Sequence, residues 1–144
     1  MSLAIEAQGT VLEIGQGNAL TVAAGSDVFD EVGEIKSGDG PNGSASVIDV
    51  SHLSSTRREK RMGLADEGQL GVTFNRIFGD DGQASMQTAR ADRELRHIKL
   101  TYSDGSVDSF TAYVLEFSTS FAVDDVLQGS ATFEISGAVT NVPA

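Results

Sequence analysis

Two alternating apolar–polar segments separated by a long basic stretch constrain this chain more than any other feature. In the first, Ile48 and Val50 oppose Asp49 and Ser51; in the second, Leu70, Val72 and Phe74 oppose Gln69, Gly71, Thr73 and Asn75. A period of two is that of a pleated strand with one buried and one wet face, so both segments read as half-buried strands. Between them, the sixteen residues from Ser51 to Asp66 hold four of the ten Lys and Arg, namely Arg57, Arg58, Lys60 and Arg61. That is too long for a hairpin turn and longer than compact domains ordinarily leave without structure. Sixteen residues extend to roughly 50 Å, against a radius of gyration of about 15 Å for a chain of this size. The stretch is therefore expected to be an arm that reaches a neighbouring molecule, with His52, Ser54, Arg57, Arg58, Glu59, Lys60, Arg61 and Met62 as its contact residues.

Charge is divided along the chain in a way that names a partner for the arm. The formal net charge is −11, yet residues 1–35 and 100–144 each hold six acids and no base, and all ten Lys and Arg fall between Lys36 and Lys99. Nucleic-acid affinity comes from neutralising phosphates with cations, which a chain of this sign does poorly. The basic arm is expected to meet the acidic surface of an identical copy, with a solvated charge run or a nucleic-acid patch as the alternatives. With 144 residues and no break in composition, one domain spanning 1–144 is expected, with the arm at about 51–66. The absence of cysteine removes disulfides, thiol catalysis and thiolate metal sites. The opening Met1 to Glu6 has no basic-then-apolar leader and no apolar run has membrane-spanning length, so synthesis in a cytoplasm is expected.

The remaining segments are mainly β. Residues 10–14 and 20–22 read as an N-terminal hairpin around Gly15 and Gly17, and Glu31 to Lys36 as a further strand. The Gly15/Gly17 pair lacks the third glycine and following helix of a phosphate loop. Residues 37–44 form a glycine-rich loop without the ordered ligand spacing of a calcium loop. Residues 79–93 are the one convincing helix, with Asp80 as cap, Gln83 three residues on, Met86 packed inward and Arg90 and Arg93 outward. Those two arginines read as a solvated face or as intersubunit partners of the acidic ends. Strands follow at 96–102 and 107–121 across a Ser103-Asp-Gly105 turn, and at 129–139 after a turn at Asp124 and Asp125. Ala131, Phe133 and Ile135 alternate cleanly with polar neighbours. The phase of residues 110–117 changes: Leu115 and Phe117 oppose Glu116, Ser118 and Ser120, while Phe110, Ala112 and Val114 share the polar side, so a bulge is expected midway.

Collected together, the polar faces contribute Asp49, Gln69, Thr73, Asn75, Glu116, Ser118, Ser120, Ser130, Thr132, Glu134 and Ser136, with no base and no aromatic ring. A ligand site needs a concave apolar pocket with convergent polar groups; this surface suits a wall along which something slides. Catalytic chemistry is sparse. His52 and His97 lack a nucleophile or carboxylate orienter in their sequence context, and the paired acids sit in turns. No enzyme activity, metal or cofactor is expected.

The quoted segments resemble one family, the tail tube (major tail) proteins of bacteriophages with long non-contractile tails. Ile48-Asp-Val-Ser-His-Leu-Ser-Ser is similar to the strand entering the family's long loop, and Gly63-Leu-Ala-Asp-Glu-Gly-Gln-Leu-Gly-Val-Thr-Phe-Asn75 to the segment leaving it. The helix after Phe78 and the ending Val123-Asp-Asp-Val-Leu-Gln-Gly-Ser-Ala-Thr-Phe-Glu-Ile-Ser-Gly137 complete a likeness covering about residues 30–140. The resemblance implies a β-sandwich or barrel-like fold with one flanking helix and a long charged inter-strand loop. It also implies a virion protein that stacks in six-fold rings as a conduit for DNA, without specific DNA binding. Its partners would be copies of itself, a tape measure protein, a tail tip or initiator and a tail terminator. The arm would dock on the next ring and order only on assembly, and the polar faces would line the lumen. A secretion-system tube of the same fold and a β-sandwich ligand- or receptor-binding module are the alternative readings; the absence of Trp and presence of two Tyr count against sugar binding.

Overall fold

The computed structural model describes residues 9–54 and 56–143. The opening segment Met1 to Glu6, read above for its lack of a leader, lies outside them, as does Ser55 of the arm. Nine strands and one α-helix follow in the order β1 (Val11–Gly15), β2 (Phe29–Val32), β3 (Ile35–Asp39), β4 (Ser44–Asp49), β5 (Lys60–Asp66), β6 (Gln69–Asn75), α1 (Asp81–Asp92), β7 (Arg96–Thr101), β8 (Val107–Ser120) and β9 (Gln128–Val142). Seven of them form one antiparallel sheet in the order β2-β1-β7-β8-β9-β6-β3, while β4 and β5 pair only with each other.

The two edges of the seven-stranded sheet are consecutive in sequence. Between β2 on one edge and β3 on the other lie only Gly33 and Glu34, and Glu34 takes a left-handed φ of 61°. Two residues cannot cross an open sheet of seven strands about 4.8 Å apart, so the sheet must curl until its edges meet. The interior is lined by Leu12, Ile14, Leu70, Val72, Phe74, Ile98, Phe110, Ala112, Val114, Ala131, Phe133 and Ile135, all buried. Each large side chain taken fully from water contributes about 1.5–3 kcal/mol. Helix α1 closes this core by inserting Met86 and Ala89, both fully buried.

Local chemistry starts the helix where the sequence reading puts it. Asp80 accepts from the backbone N–H of Gln83 (3.0 Å) and also from that of Gly33 (3.1 Å), so the cap ties α1 to the sheet corner. Gly82 faces β2 so closely that an added Cβ would meet the Glu31 carbonyl and the Val32 Cα. Gln83, fully buried, uses its whole amide: Nε2 donates to the carbonyls of Gly33 (3.1 Å) and Asn75 (2.9 Å), and Oε1 accepts from Ile77 N–H (2.9 Å) and Arg76 Nη1 (3.1 Å). It joins the β2–β3 corner, the end of β6 and the helix at one point.

Four expectations are corrected. Residues 20–22 are not a strand: Asn18 gathers this segment into a turn through its side-chain oxygen on Leu20 N–H and its carbonyl on Thr21 and Val22 N–H, and the hairpin partner of β1 is β2. The continuous strand expected over Glu31 to Lys36 is broken at Gly33 and Glu34, because there the chain changes edges. Residues 37–39, expected in the glycine-rich loop, complete β3. In β8 the bulge falls between Val114 and Glu116, so Phe110, Ala112 and Val114 face the core with Phe117 packed against it, while Leu115 is turned outward and half exposed.

Replacing Gln83 with Ala leaves four polar groups without their buried partner, and urea denaturation is expected to show a loss of about 3 kcal/mol; a change within about 0.5 kcal/mol would contradict the role of this amide. Tyr102 donates to Asp108 (2.6 Å), and burial, followed by that hydrogen bond and the Asp108 charge, pushes its hydroxyl up to about 12. A raised phenol favours the neutral form in the folded state, so its contribution is complete below pH ~10 and lost as pH rises towards 12. Unfolding curves of Tyr102→Phe are expected to fall less steeply than those of the parent across that window.

Candidate functional site

Two surfaces stand apart from the core, and each is built differently. The first is the β4–β5 hairpin. Its register pairs Ala45 with Ala65, Val47 with Met62, Ile48 with Arg61 and Asp49 with Lys60, with a bulge between Ala45 and Val47. The stretch expected as a loop from Ser51 to Asp66 is thus half strand, and only Val50 to Glu59 connects the two. Ser51 organises that connection: its hydroxyl accepts from Glu59 N–H (2.7 Å), and Val50 N–H donates to the Glu59 carbonyl (2.9 Å).

The core face expected for Ile48 and Val50 does not exist in the described structure. Val47, Ile48, Val50, Leu53, Met62 and Leu64 are all exposed. The alternation that signals a buried face is present, but no layer among the described residues covers it. A lone two-stranded hairpin is marginal in water, and among the described residues nothing buries the apolar side chains of this one. Its charges are only partly matched. Arg58 lies 3.5 Å from Asp49 and His52 3.5 Å from Glu59, both exposed pairs of small energetic weight. The Ser51 N–H, then the Ser51 hydroxyl, hold the Asp49 carboxyl below its ordinary range. Arg57, Lys60 and Arg61 make no ion pair among the described residues.

The second surface is the outer face of β6, β9 and β8. Register brings residues from three distant parts of the chain side by side: Gln69 opposite Glu134, Gly71 opposite Thr132, Thr73 opposite Ser130 and Asn75 opposite Gln128. Across the other flank of β9, Glu116 lies opposite Thr132, Ser118 opposite Ser130 and Ser120 opposite Gln128. Hydrogen bonds knit the face together, Gln69 Nε2 to Glu134 (2.8 Å) and Ser118 Oγ with Ser130 Oγ (2.6 Å). The three strands contain no Lys or Arg. Of the polar residues collected from the sequence, Asp49 alone sits elsewhere, on the hairpin. Ser136 lies further along β9, opposite Thr111. His97, half buried, bonds the Val22 carbonyl through Nε2 (2.7 Å), a structural role. No group of three or more His, Asp or Glu among the described residues is arranged to hold a metal ion.

Residues 13–141 match the sequence profile of the lambda phage tail tube protein (TTP) family. The chain belongs to that family. It is therefore a structural component of a phage tail tube and of the virion. Solved tubes share the fold at low identity. The SPP1 tail tube superposes with a TM-score of 0.71 at 15% identity, covering 98% of this chain and 80% of that one. The tail of an empty gene transfer agent particle, refined with C6 symmetry, gives 0.73 at 11% identity, covering 96% and 99%. The tube of a PVC extracellular contractile injection system in its extended state gives 0.67 at 12% identity, covering 100% and 95%. A comparison with curated protein sequences finds no match. Among the described residues no helix is long and apolar enough to cross a membrane.

The uncovered hairpin of this tail tube protein generates a direct expectation. Hydrogen–deuterium exchange of the unassembled protein should show β4 and β5 amides exchanging on the order of 100-fold faster than those of β9, because few buried contacts protect them. Equal protection of the two would mean that the hairpin is held by its own chain.

Proposed function

We propose that this tail tube protein assembles into stacked rings of six, with the β6–β9–β8 face turned to the bore and the β4–β5 hairpin laid on the next ring. The observation that carries this reading is the division of surfaces: one continuous wall without a base, and one basic, apolar projection without a cover. The six-fold refinement of the gene transfer agent tail, which shares the fold, supports the ring order. The family match favours a phage tail over the contractile-injection tubes of the same fold.

In such a ring each copy supplies Glu116 and Glu134 to the wall, beside hydroxyl and amide groups. Double-stranded DNA carries one negative charge per roughly 1.7 Å of axis. A wall of like sign gives it no cation to bind, and screening over about 8 Å at physiological salt keeps the repulsion from blocking entry. DNA then passes without specific contacts. The acts assigned to the chain are assembly and conduction, with no catalysis. Its further partners are a tape measure protein within the tube, an initiator at the tip and a terminator at the other end, in keeping with the family and with the caps and baseplates built around tubes of this fold.

The reading is tested in virions. Glu116→Lys with Glu134→Lys should leave tubes intact but slow DNA release at least about tenfold through attraction to phosphate; unchanged infectivity would remove this face from the bore. Deleting residues 54–62 should give a folded protein that fails to stack, seen as the absence of tubes by negative-stain electron microscopy. Normal tubes from that deletion would remove the arm from the mechanism.

A further inference from the structure

A groove of about 510 Å³ lies between the last turns of α1 and the bulge of β8, lined by Arg90, Ala91, Arg93, Tyr113, Val114 and Leu115. Neither arginine side chain makes an ion pair or hydrogen bond among the described residues, although the chain as a whole carries an excess of eleven acids. The β8 bulge turns Leu115 to the surface beside them, half exposed. The groove therefore offers two unmatched cations next to an apolar rim.

The complementary chemistry is on the same chain, at the β8–β9 turn. Phe121, Val123 and Val126 are exposed there by 85%, 91% and 57%, an unusual concentration of apolar surface for a turn. Asp125 is occupied with the turn itself, accepting from Val126 N–H (2.8 Å) and Gln128 Nε2 (3.3 Å). Asp124, in a left-handed backbone conformation, has no such bond or ion pair among the described residues. The turn thus presents one free carboxylate between exposed valines.

We propose that the Phe121–Val126 turn of one copy seats in the α1–β8 groove of the next, with Asp124 between Arg90 and Arg93 and Val123 against Leu115. Six residues of strand separate Leu115 from Phe121, about 20 Å, so a copy cannot fill its own groove with its own turn. Two different patches meeting between identical chains make a heterologous contact, which closes into a ring when its rotation allows. This deepens the ring reading given above and rests on it, by naming the pair of surfaces that meet side by side.

Charge exchange tests the contact on the full chain, with the concentration for assembly read by light scattering and electron microscopy. Asp124→Arg and Arg93→Asp, both at exposed positions, should each raise that concentration roughly tenfold or more by setting like charges together. The double variant Asp124→Arg/Arg93→Asp should return it to within about threefold of the parent. A second readout uses the absence of native cysteine: Leu115→Cys with Val123→Cys should give a ladder of covalent oligomers with a short bismaleimide, and a mixture of the two single variants only dimers. Parent tubes with single variants that assemble normally, or a double variant no better than the worse single one, would overturn this contact while leaving the tube reading intact. Failure of the parent to form rings or tubes, alone or with its tail initiator, would overturn the tube reading and this contact with it.

Discussion

The whole fold depends on one junction, where the chain steps from one edge of its sheet to the other through Gly33 and Glu34. A seven-stranded sheet left open would expose two rows of unpaired backbone groups and half of its apolar face. Closure brings β2 and β3 to the same corner, but it strands carbonyls and amides there that no strand can pair. From a fully buried side chain Gln83 bonds the Gly33 and Asn75 carbonyls, the Ile77 N–H and the Arg76 guanidinium, and Asp80 adds a bond to Gly33. The helix is thus the clasp of the barrel as well as part of its core. Its cap, its buried amide and its Met86 are three consequences of docking on the same corner.

Closing the barrel this way decides what is left for the outside. Once Leu70, Phe74, Phe133 and Val114 turn inward, alternation forces Gln69, Thr73, Glu134 and Glu116 outward, onto a wall free of cations. Six of the ten bases lie on the hairpin with its connection and at the end of the helix. Self-association of a strongly acidic protein is opposed by its own charge; in the proposed ring, the cations of these two elements would face acidic surface on another copy. Under that proposal, assembly and a non-adhesive bore draw on the same division of charge.

Much of this was legible along the chain. The buried alternation in β6 and β9, the Asp80 cap, the phase change in β8 and the family likeness were all readable because each arises from neighbours within a few residues. Three features were not. Leu20, Thr21 and Val22 have strand-forming side chains, yet Asn18 offers closer hydrogen-bond partners than any strand. Residues 60–66 combine Lys60, Arg61 and Gly63, which mask a strand that exists only because β4 lies beside it. Ile48 and Val50 show a buried-face pattern that nothing among the described residues covers, so the pattern did not report this chain's core.

By itself, the amino-acid order determined which faces are apolar, where the helix begins, how charge is distributed and which family the chain resembles. These follow from local spacing and composition, which do not change with the path of the backbone. Only the tertiary structure decided that β2 and β3 close the sheet, that residues 69, 116 and 134 share one wall, and that Asp49 leaves it for the hairpin. The reason is physical: register and closure are set by contacts between residues far apart in sequence, whose energies depend on their meeting in space.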